Sequence, residues 1–219
     1  MGVNINTFRD FTNFISNKVV SGETVTTAQF NVLCNQAQLA IFSRDYQTFV
    51  QTGVITNFFQ TFLVTNYVAQ VNPSTGIVAY PSDLQYVSAV GHYYKQRQYD
   101  CELIDNTDFR KISPPNSLNY PTLRHVKYEQ QGNGLRFAPA NVGIIYLDYF
   151  KKPQEPTWAY TIVNNQQVYN PTTSVDFEWD EFSTNQVASV YLQFIGINLK
   201  DVDVSNFALA FTQESKLAI

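Results

Sequence analysis

FSTNQVASVYLQFIGINLKD, residues Phe182 to Asp201, reads as a helix with both ends marked. Ser183 stands where an N-cap belongs, and Gln186, three residues on, can close a capping box. Phe182 and Val187 have the spacing of a hydrophobic staple. Val187, Val190, Tyr191, Phe194 and Ile195 repeat at helical period and give one apolar stripe. Gly196 falls where a left-handed residue would stop the helix, with Ile197 folding back. Beyond it, Asp203 or Ser205 can cap a second helix with the stripe Val204, Phe207, Ala208 and Phe211. Two such helices form an antiparallel hairpin, and neither buries its stripe alone.

The N-terminal end supplies a partner. Thr7 can cap a helix with Phe8, Phe11, Phe14 and Ile15 on one side, ending near Val20. Thr26 and Gln29 form a second capping box, with Val25 and Phe30 as its staple. Phe30, Leu33, Cys34, Ala37 and Ile41 then form a stripe that runs to about Arg44 or beyond. The expected fold class is α+β, with helices over 4–50 and 180–216 packed as a four-helix layer. An antiparallel β region with its loops, 58–175, is inserted between them, and 1–219 is expected to form a single domain.

In that middle region the period shortens. TFLVTNYVAQV and GIVAY are β-branched and aromatic runs, separated by the turn sequence Asn72 to Gly76. DLQYVSAVGHYY is extended or partly helical. Gly132-Asn133-Gly134 predicts a tight turn between two strands, with Asn133-Gly134 suited to positive φ. Gly143 to Phe150 is apolar on both faces and reads as a central strand. Asp105 to Pro121, with three prolines, reads as a long irregular loop, and long loops in compact domains are commonly functional. Pro153 to Thr173 reads as a second irregular stretch with a small hairpin at Asn164-Asn165.

Charged residues make up 15% of the chain, below the usual figure of about 25%. A polar but weakly charged surface loses little on desolvation and suits contacts between copies. The net charge of −4 argues against a general nucleic-acid binder. No apolar run is long enough to span a membrane, and MGVNINTFRD lacks the pattern of a signal peptide. Cys34 and Cys101 are too few for a disulfide framework or a zinc site, which fits folding in a reducing cytoplasm.

Nothing in the chain calls for an enzyme, and no catalytic, cofactor-binding or metal-binding residue is assigned. The acidic run Asp176, Glu178, Asp180 and Glu181 is best explained by the positive end of a helix, since its spacing matches no calcium loop. His92 and His125 stand without ligand-spaced neighbours and are read as structural. Arg110-Lys111, Lys151-Lys152, Arg124 and Lys127 are interleaved with aromatics, as in single-strand binders, but a solvated loop edge fits the acidic total better. Trp158 and Trp179 in an aromatic-rich setting would suit a carbohydrate- or host-surface-binding module.

The order of motifs carries a resemblance. A helix pair leads into Ala79-Tyr80-Pro81-Ser82-Asp83-Leu84, followed by Gly132-Asn133-Gly134-Leu135-Arg136-Phe137-Ala138-Pro139. The strand Ile144 to Pro153 comes next, then Phe177-Glu178-Trp179 and the terminal Gly196-Ile197-Asn198-Leu199-Lys200-Asp201. From Asn4 to Phe211 this resembles the neck-ring or head-to-tail adaptor (connector) proteins of short-tailed bacteriophages, and most resembles the ring proteins of crAss-like phages. The resemblance implies a homo-oligomeric ring, commonly of twelve copies, placed between the portal protein and adjacent tail or neck rings. DNA would pass through its channel without sequence-specific binding. The protein would be made in the host bacterial cytoplasm and reside in the virion. Separately, the length of loop 105–120 and its Pro114 and Pro115 predict that it docks on a neighbour.

Overall fold

The structure, a computed structural model, describes residues 2–19 and 25–198. The protein is mixed α+β and divides into two compact units, one of 1–61 with 153–219 and one of 62–152. The inserted part is therefore shorter than the expected 58–175. Residues 153–175 belong with the helices because they hydrogen-bond to them at several points, described below.

In the first unit, α1 (Ile5–Val19) starts earlier than the sequence suggests. Asn4, not Thr7, caps it: the Asn4 Oδ1 accepts from the Asn6 N–H at 2.9 Å and the Thr7 N–H at 3.3 Å. Ile5, Phe8 and Thr12 are buried, while Phe11 and Phe14 are exposed. The phenylalanine spacing fits two overlapping stripes, and tertiary packing selects the other one. α2 (Thr27–Thr52) carries the expected Thr26/Gln29 capping box and stops at Gly53, φ 69°. Its buried residues Phe30, Cys34, Ala37, Gln38, Ile41 and Phe42 follow helical period.

α4 (Glu181–Asn198) differs from expectation at both ends. Asp180 Oδ1 accepts the Ser183 N–H at 2.8 Å, so Asp180 is the cap and Ser183 lies buried in the first turn. An aspartate three residues upstream outcompetes the serine for the same role. Gln186 instead accepts a hydrogen bond from Arg44 of α2, and Phe182 stacks on Phe58 at 5.0 Å. The helix runs through Gly196, which is itself buried; packing overrides the intrinsic cost of glycine, about 1 kcal/mol. The second C-terminal helix expected over 203–211 lies outside the described residues.

Four rings tie this unit together. Phe8 lies 4.7 Å from Phe177 and 5.8 Å from Tyr191, and Tyr191 lies 5.5 Å from Phe30. Residues 153–180 form a strap over the helices. Trp158 exchanges backbone bonds with the Asn31 side chain and donates from Nε1 to Asn6 Oδ1 at 2.9 Å. Trp179 is buried and donates to Gln38 Oε1, whose amide donates to the Gln154 carbonyl at 2.8 Å. The strap also carries the ribbon β9 (Tyr160–Val163) and β10 (Gln166–Tyr169), which turns at Asn164-Asn165 as expected.

The second unit holds two four-stranded sheets around one core. Its strands are β1 (Leu63–Gln70), β2 (Ile77–Ala79), β3 (Leu84–Tyr94), β4 (Arg97–Asp100), β5 (Glu102–Leu103), β6 (Lys127–Gln131), β7 (Gly134–Ala138) and β8 (Ile144–Lys151). The sheet orders are β1-β8-β3-β4 and β2-β7-β6-β5. Val78, Val90, Tyr128, Leu135, Phe137, Ile145 and Leu147 belong to the shared core. β8 is central, as its apolar run suggests. DLQYVSAVGHYY is strand throughout β3, and two register shifts against β8 account for its irregular alternation.

Two local readings change. Neither Gly132 nor Asn133 adopts positive φ, whereas Gly134 does, at φ 159°, near the extended limit. Glycine is needed at 134 because β2 passes so close that a Cβ would lie 2.0 Å from the Val78 carbonyl oxygen. The loop 105–120 begins with a helix, α3 (Asn106–Ile112), capped by Asp105 and anchored by buried Phe109. A short helix with one buried apolar residue leaves too weak a period to read.

Candidate functional site

The acidic run is spread over separate structural tasks. Asp176 accepts the Ile5 N–H, Glu178 accepts the Gln154 N–H at 2.9 Å, and Asp180 caps α4 with Glu181 in its first turn. The Asp176, Glu178 and Asp180 carboxylates each accept from a backbone N–H. Among the described residues, no group of three or more His, Cys, Asp or Glu side chains is close enough to hold a metal ion.

His92 is buried and bonded to the Leu123 carbonyl, whereas His125 is exposed. Cys34 is buried under Arg9, and burial pushes its thiol well above the ordinary value. Cys101 lies 3.6 Å from His92 Nδ1, a pairing the sequence does not show because the β3–β4 hairpin brings them together. Trp158 and Trp179 are both buried, and Arg9 covers the Trp158 ring at 3.6 Å. They do not form an exposed sugar-binding platform.

Of the basic residues singled out by sequence, Lys111 pairs with Asp108 at 2.6 Å and Lys127 with Glu102 at 3.2 Å. Glu129, missed by sequence reading, has a fully buried side chain and collects Asn106, Gln131 and Arg136 around its carboxylate. An acidic residue in a strand otherwise expected to bury apolar groups was the available signal. Because Asn106 and Phe109 both reach inward, the first half of loop 105–120 is part of the unit's own interior. Its second half stays outside, with Leu118 fully exposed.

Among the described residues, two surfaces expose apolar side chains. The β9–β10 ribbon is exposed from Tyr160 to Val168 and carries Tyr160, Ile162, Val163 and Val168 outward, with Ile162 70% exposed. Its base is held by Tyr169 ringed against Trp158, and nearer the turn Thr27 donates to Gln167 Oε1 at 2.8 Å. A two-stranded ribbon is marginal by itself and has two unpaired edges. In the other unit, Val68, Ile144 and Tyr93 are exposed on the outer face of the β1-β8-β3-β4 sheet, with Tyr146 5.0 Å from Tyr93.

Charge is divided between the units. Residues 62–152 contain nine Lys/Arg and seven Asp/Glu, a formal +2, while the remainder contains five and eleven, a formal −6. Among the described residues, no helix is long and apolar enough to cross a membrane. Beside the Cys101–His92 contact, the described residues offer edges, apolar patches and opposed charge. No family model matches the chain and no curated protein matches it either, so its function rests on these surfaces.

Proposed function

We propose that this chain is a virion structural protein, a ring subunit of a phage head-to-tail connector that extends the portal channel for DNA passage. The observation that carries the reading is the β9–β10 ribbon, a two-stranded element that exposes four apolar side chains. Such an element gains most by docking on a second copy, where its apolar side chains leave water and its edges find partners. The opposed charges of the two units support a head-to-tail contact, in which unlike surfaces of successive copies meet and a closing rotation makes a ring.

The finer arrangement belongs to the same proposal. The four-helix layer is part of this proposal, its last helix lying outside the described residues. Twelve copies surround the channel, with the portal protein and a neighbouring tail or neck ring as axial partners. Residues 113–120, led by Leu118, reach the adjacent ring.

The test is sedimentation of the wild type beside Ile162→Asp and Val163→Asp. Assembly of the wild type, lost in both variants while each stays folded, supports the reading. Unaltered assembly in the variants removes the ribbon from the interface.

A further inference from the structure

The hairpin between β3 and β4 turns at Lys95-Gln96, with φ of 50° and 65°. Turns of this hand favour Asn-Gly, because other side chains are strained there. A lysine at such a position holds a cation at the hairpin tip at the expense of local stability. Arg97 follows at the start of β4. Arg124 lies in a separate tight turn closed by the His125 N–H on the Thr122 carbonyl at 3.0 Å.

His92 positions that second turn. Its Nε2 lies 2.7 Å from the Leu123 carbonyl oxygen, which only accepts, so Nε2 carries the proton. Nδ1 faces Cys101 Sγ, which can donate its S–H. The result is an open recess of about 430 Å³ lined by Tyr94, Lys95, Arg97, Tyr99 and Arg124. Elsewhere in this unit Lys111, Lys127 and Arg136 each face a carboxylate. Among the described residues no ion pair involves Lys95, Arg97 or Arg124.

We propose that this recess binds the phosphate backbone of a nucleic-acid strand, with the three cations on phosphate oxygens and the two phenol rings against sugar or base. Guanidinium forks and an ammonium suit phosphate, and aromatic rings give a base a face to lie on. An acidic peptide would use the cations but not the rings. This proposal rests on the recess alone and is independent of the ring reading, which is tested by oligomeric state.

The experiment is fluorescence anisotropy with a labelled oligothymidylate of ~12 nucleotides across a tenfold range of salt. Three neutralised phosphates predict a loss of affinity of about 100-fold over that range. Lys95→Gly should reduce the loss to about 25-fold, since one contact is gone, without lowering the melting temperature. Adding Arg97→Gln and Arg124→Gln should leave binding almost independent of salt. Absent binding at low salt, unchanged binding in the triple variant, or equal binding of a polyglutamate chain would each overturn the proposal.

Discussion

Asp176 Oδ1 accepts the Ile5 backbone N–H at 2.8 Å, so a carboxylate from the strap closes the first turn of a helix 171 residues earlier in the chain. The contact satisfies one of the open donors of α1 and fixes the strap beside the Phe8, Phe177 and Tyr191 rings. Asp176→Ala should lower stability by about 1–2 kcal/mol, the range for a lost helix cap. Replacing Asp176, Glu178 and Asp180 together by their amides should lower it further and leave divalent-metal content unchanged. A metal lost with the acids would contradict the assignment.

Gly134→Ala and Gly132→Ala separate close approach from turn geometry. At 134 a Cβ collides with the Val78 carbonyl, so β2 must move from β7, with an expected loss of about 1–3 kcal/mol. At 132 nothing lies within 4 Å, and φ is not left-handed, so the melting temperature should hold. Equal loss in the two variants would return the turn to the explanation.

The same two glycines show why parts of the fold were legible and others were not. Asn-Gly signals a left-handed turn by local chemistry, yet here a neighbouring strand, invisible in sequence, is what requires the glycine. Lys95-Gln96 does form a left-handed turn with no local signal at all. Thr26/Gln29 and Ser183/Gln186 share one capping grammar, but only the first is realised. Asp180 precedes the second and takes the cap, and Arg44 of α2 takes the glutamine. Periodicity revealed α2, an apolar run β8 and the Asn164-Asn165 turn the β9–β10 hairpin, because each signal depends on its own residues. The recess at the β3–β4 tip depends on a histidine reaching across to another turn, and no spacing encodes that.

Phe109→Ala tests whether α3 belongs to the interior. The side chain is 1% exposed with the Arg136 guanidinium 5.3 Å from its ring, so truncation should cost about 3–5 kcal/mol. Replacing residues 114–119 by a Gly-Ser linker should leave the melt unchanged. A small effect from the first or a large one from the second would reverse the division of this loop.

Alkaline pH should expose the buried thiol and phenol of the second unit. Burial pushes Cys101 from 9.0 up to about 12 and Tyr128 from 10.0 up to about 12. Both bind their protons more tightly folded than unfolded, so their contribution is full below about pH 9 and is lost as pH rises toward about 12. The denaturant midpoint should be level up to pH 9.0 and then fall, and Cys101→Ala should shallow the fall. A midpoint that rises above pH 9.0 would contradict the sign.

The central claim is that copies of this chain close into a ring, and native mass spectrometry of the purified wild type over rising concentration tests it most directly. The account predicts one discrete high-mass species, an integral multiple of 25.0 kDa consistent with a closed ring of twelve. A monomer at every concentration, or an open ladder of sizes without a preferred closure, would contradict it.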